Sequence, residues 1–63
     1  MKRYLYYHYN SQGTIIFHYL EDDCQICSRY NGCSLQEAIQ KFRQEYNLQH
    51  KHISIHRLYE AEQ

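Results

Sequence analysis

A chain of 63 residues buries only about 60% of the surface its unfolded form exposes, which excludes more than one hydrophobic core and any large enclosed substrate pocket. Seven Lys plus Arg balance seven Asp plus Glu, so the basic excess that phosphate-backbone binding draws on is missing, and no apolar run is long enough to span a membrane. The first residues, MKRYLYYHYN, interleave Tyr and His where a signal peptide has a continuous apolar stretch, and the expectation is a cytoplasmic chain with reduced thiols.

Residues 3–9 and 14–20 are rich in Tyr, Ile, Phe and Leu and read as two strands separated by NSQG. Asn10 suits the first position of a type I turn, and Gly13 suits the left-handed position that follows it. Such a turn pairs Asn10 with Thr14. The register then sets Tyr9 opposite Ile15, Tyr7 opposite Phe17 and Leu5 opposite Tyr19, so that every residue of one face is apolar or aromatic.

The segment 21–33 holds all three cysteines, in CQICSRYNGCS, and reads as a loop or a short helical turn. Cys24, Cys27 and Cys33 are candidate zinc ligands, with His18, His50, His52 or Asp23 as a fourth, but a second ligand half is missing. A thioredoxin-like redox pair fits less well, because the chain is too short for that fold and has no proline. Structural thiols are the preferred reading. In a helical turn Cys24 and Cys27 share one face, while Cys33 precedes a helix cap and packs as a hydrophobic staple on Ala38. No metal or other cofactor is expected.

The helix begins at SLQE, where Ser34 caps the first turn and Glu37 reaches back to complete a capping box. Leu35, Ala38, Ile39, Phe42 and Tyr46 then recur at three- and four-residue steps, which predicts an amphipathic helix over 35–46. Asn47 tolerates the left-handed position after it, and Leu48 folds back over Phe42. A last strand, 52–59, carries Ile53 and Ile55 in alternation with Ser54 and His56.

These elements give one α+β domain of order β-β-α-β: a three-stranded, mainly antiparallel sheet with one helix on one face. The first strand is bulky on both sides and is placed centrally, with the last strand antiparallel beside it. An order with the second strand central is the alternative. If Leu5, Tyr7, Tyr9, Ile15, Phe17, Tyr19, Ile53 and Ile55 lie under the helix, alternation sends Tyr4, Tyr6, His8, Ile16, His18, Leu20, His52, Ser54, His56 and Leu58 to the other face. That face has nothing to cover it and no charged residue among these positions, and its Tyr-rich composition is that of an interface core.

The reading is a non-catalytic module that forms a homodimer or docks another protein through this face. Single-stranded nucleic acid stacking on Tyr4, Tyr6 and His18 is an alternative that the neutral charge disfavours. A metal held by His8, His18, His52 or His56 is another, if neighbouring strands bring them together. A catalytic role is not expected, since the chain has no phosphate loop or nucleophile motif.

Overall fold

The computed structural model describes residues 2–58. Strands β1 (Arg3–Tyr9), β2 (Ile15–Glu21) and β3 (Cys24–Tyr30) precede a helix α1 (Leu35–Glu45) and a short last strand β4 (Ser54–Arg57). The α+β class holds, but the sheet is mixed and has four strands rather than three, in the order β3-β2-β1-β4. No helix among the described residues is long and apolar enough to cross a membrane.

The first hairpin forms as its turn residues dictate. Gly13 takes a φ of 82°, its N–H donates to the Asn10 carbonyl at 3.1 Å, and the Asn10 N–H donates to the Thr14 carbonyl at 3.0 Å. The Asn10 side chain reinforces the loop, its Oδ1 accepting from the Gln12 and Thr14 amides at 2.9 and 3.0 Å. β1 and β2 then pair antiparallel with Tyr9 opposite Ile15, Tyr7 opposite Phe17 and Leu5 opposite Tyr19.

The cysteine segment is not a loop or a helical turn. Asp22 adopts a φ of 52°, the left-handed conformation that tight hairpins require, and with Asp23 it turns the chain straight back along β2. β3 pairs antiparallel with β2 through seven positions, from Cys24 opposite Glu21 to Tyr30 opposite Ile15. This extra strand adds one reversal of direction before the helix. The helix therefore delivers β4 parallel to β1, with Leu5 beside Ile55 and Tyr6 beside His56, where a three-stranded chain gives an antiparallel pair. β4 is also shorter than the expected 52–59, and Tyr59 lies outside the described residues.

Helix α1 has both of its ends tied. Ser34 Oγ accepts from the Glu37 amide at 3.2 Å, and Glu37 Oε1 accepts from the Ser34 amide at 2.9 Å. At the other end Tyr46 is the cap, one residue beyond the last helical position, and Asn47 takes a φ of 59°. The Leu48 N–H donates to the Arg43 carbonyl at 2.7 Å and the Asn47 N–H to that of Gln44, a Schellman ending.

Phe42 centres the core. Its ring lies 5.6 Å from that of Phe17, 5.3 Å from Tyr19 and 4.8 Å from Tyr46, and Leu5, Ile15, Ala38, Leu48 and Ile53 close the buried cluster. The end of α1 leans toward β3, where the Tyr46 hydroxyl meets Ser28 and the Tyr30 hydroxyl donates to Glu45. Tyr9 and Ile55, expected beneath the helix, are on its side of the sheet but remain 40% and 37% exposed, beyond its reach at the hairpin end and the β4 edge. There Arg57 stands 5.4 Å over the Tyr9 ring.

Candidate functional site

Strand pairing fixes the open face as cross-strand rows. One row runs Ser54, Tyr4, Leu20, Gln25; the next His56, Tyr6, His18, Cys27; a third His8, Ile16, Arg29. Leu58 continues this side of β4, its N–H donating to the Tyr7 carbonyl at 2.8 Å. His52 precedes the strand and lines, with Lys2, Arg3, Tyr4 and Ser54, a shallow cavity of about 280 Å³ at the same end of the sheet. The residues expected on this face are thus on it or at its rim.

The aromatic groups pack on one another. Tyr4 and Tyr6 stack at 6.3 Å between centroids and Tyr6 and His56 at 5.5 Å, while the His8 and His18 rings meet edge to edge, with centroids 5.2 Å apart and planes within 4°. His8 Nε2 and His18 Nε2 are 3.1 Å apart, so one ring donates and the other accepts. Side-by-side packing leaves most of these side chains half-buried, whereas Leu20 and Leu58 are 37% and 42% exposed.

β3 brings three further residues to the face, Gln25, Cys27 and Arg29, all exposed. The sequence reading misses them because it takes their segment as a loop or a short helical turn. The period-two pattern of Ile26, Ser28 and Tyr30, half-buried on the helix side, was the signal available. Arg29 also corrects the expectation of a face without charge. It lies on the edge strand, however, and the central strands β1 and β2 present no Lys, Arg, Asp or Glu there.

The three cysteines are free and do not converge. Being three apart on a strand, Cys24 and Cys27 project to opposite sides of the sheet, and both are exposed rather than packed in a corner. Only Cys33 matches the structural-thiol reading, half-buried against the cluster that contains Ala38. Among the described residues no three of His, Cys, Asp and Glu are grouped to hold one ion, and of the histidines His8 and His18 alone are in mutual contact.

On the helix side, burial beside Phe42 and a hydrogen bond donated to Glu21 push the Tyr19 hydroxyl up to about 12. Burial and the Glu45 carboxylate push Tyr30 to about 12 as well. Glu21 is itself paired with Arg3 at 3.5 Å. Comparison with protein-family models, curated proteins and solved structures gives no match.

Proposed function

We propose that this chain is a small non-catalytic interaction module whose open sheet face meets a second copy of itself about a two-fold axis. The observation that supports the reading is the composition of the central strands on that side: Tyr4, Tyr6, His8, Ile16, His18 and Leu20, continuous across β1 and β2 and uncovered by α1.

Size and charge favour a self-copy. The molecule is a slab with Cα extents of 35 × 25 × 15 Å. Its broad side is thus on the order of 800 Å², the area each partner buries in a standard interface. A two-fold axis parallel to the central strands and between them sets their faces, which carry no Lys, Arg, Asp or Glu, against each other and holds the two Arg29 side chains apart at opposite edges. Burial of Tyr6, Ile16 and Leu20 supplies the free energy, at roughly 25 cal/mol per Å² of apolar surface. A chain with so small a core gains from that directly. A reducing, cytoplasmic setting, in which the three cysteines stay thiols, is part of the proposal.

The test is thermal unfolding across a dilution series, because a homodimer loses stability on dilution and a monomer does not. A transition midpoint that falls with dilution in the wild type, and is constant in Ile16→Asp, supports the reading. A constant midpoint in both contradicts it.

One observation favours a second reading. Lys2, Arg3 and His52 gather with Tyr4 around the 280 Å³ cavity, as a phosphate beside a stacked base requires. Equal numbers of acidic and basic residues oppose it. Fluorescence anisotropy with mixed-sequence oligonucleotides separates the two, since micromolar binding that weakens with salt and disappears in Tyr6→Ala belongs to nucleic acid alone.

A further inference from the structure

His8 and His18 stand diagonally across β1 and β2 with their Nε2 atoms 3.1 Å apart. We propose that this pair is half of a divalent-metal site of the zinc class, and that the same two histidines of a second copy supply the other half. The inference rests on self-association through the open face and adds to it a ligand and an axis.

The separation suits chelation. Zinc–nitrogen bonds are about 2.0–2.1 Å, so two nitrogens 3.1 Å apart on one ion subtend about 98°, between the right angle of an octahedral site and the tetrahedral angle. In the metal-free chain one ring donates its Nε2 proton to the other. Moving that proton to Nδ1 of the donor ring changes no proton count and leaves a lone pair on each Nε2. Each lone pair must then swing about 40° off the line joining the two nitrogens, by rotation about χ1 and χ2, to meet at a common point.

A single chain offers that point only two ligands, because no third His, Cys, Asp or Glu is grouped with the pair among the described residues. Structural zinc takes four. A two-fold axis through the point doubles two imidazoles to four, and the position is suitable, since β1 and β2 are the two central strands and an axis between them overlaps the broad faces fully. Tyr6 opposite His18 and Ile16 opposite His8 wall the pair and limit water around the ion.

Titration calorimetry with zinc chloride gives the stoichiometry, and sedimentation with zinc or with chelator gives the mass, for wild type, His8→Gln, His18→Gln and the loop variant His50→Gln. Glutamine keeps a hydrogen-bonding group at each site but is a poor zinc ligand. The expected result is one ion per two chains and a dimer that tightens at least tenfold with zinc. Both effects are lost in either face variant and retained in His50→Gln. Histidine ring resonances of the wild type give a check that requires no variant: zinc must shift those of His8 and His18.

A dimer indifferent to zinc, chelator and both substitutions overturns the metal site and leaves the open-face dimer standing. One zinc per chain without a change in mass overturns the shared site. A chain monomeric under all conditions removes both readings.

Discussion

Cys24 and Cys27, three residues apart on β3, project from opposite faces of the sheet, Cys27 beside His18 and Cys24 beside Glu21. Three strand residues span about 10 Å, whereas a disulfide needs Cα atoms within about 7 Å. Oxidation that preserves the fold therefore forms no Cys24–Cys27 bond. Cys24, exposed on the helix side of the sheet, is expected to alkylate ahead of half-buried Cys33, in a time course read by peptide mass spectrometry, whereas Cys27 lies on the face that the dimer covers. A native-state Cys24–Cys27 disulfide contradicts the strand assignment.

Helix α1 is fixed by its ends as much as by its buried stripe. Ser34→Ala removes one partner of the capping box and is expected to cost about 1 kcal/mol, which lowers the melting temperature by roughly 4–8 °C in a domain of this size. Asn47→Gly relieves a positive φ of 59° and is expected to be neutral or to stabilise by a few tenths of a kcal/mol. An unchanged melting temperature in Ser34→Ala shows that the cap contributes nothing.

Alkali acts through Tyr19 and Tyr30. Burial, reinforced by Glu21 and Glu45, raises both hydroxyls to about 12 in the folded chain, against an ordinary value of about 10 unfolded. The folded state thus holds these protons more tightly. The resulting stability is fully present below about pH 10 and is lost as the pH rises from about 10 to about 12. Tyrosinate absorbance and circular dichroism are expected to change together in that window, and Glu21→Gln is expected to lower the Tyr19 value. Full tyrosine ionisation near pH 10 with the fold intact contradicts this account.

Local chemistry made much of this fold legible. Asn10 and Gly13 fixed one turn and one register, Ser34 and Glu37 fixed the start of the helix, and Asn47 with Leu48 fixed its end. The second turn was hidden because Asp22 takes its positive φ without glycine, and Asp22-Asp23 resembles a helix start as much as a hairpin tip. β3 is an edge strand with its inward residues only half-buried, so its alternation is faint. Missing it lost one reversal of the chain, and this alone turned β4 from parallel to antiparallel in the expectation. Residues on β1, β2 and β4 were assigned to the open face by parity, which survives such an error. Gln25, Cys27 and Arg29 were not, nor could sequence alone place His8 against His18, since diagonal contact depends on side-chain rotamers.

The central claim is that two copies meet through the open face, and the most direct measurement is mass by light scattering at neutral pH and high protein concentration. Ile16 lies on that face, half-buried and outside the core, so Ile16→Asp is expected to fold while placing like charges at the two-fold axis. The account predicts twice the chain mass of 7.8 kDa for the wild type and 7.8 kDa for folded Ile16→Asp. A wild type that scatters as 7.8 kDa at the highest concentration reached contradicts it.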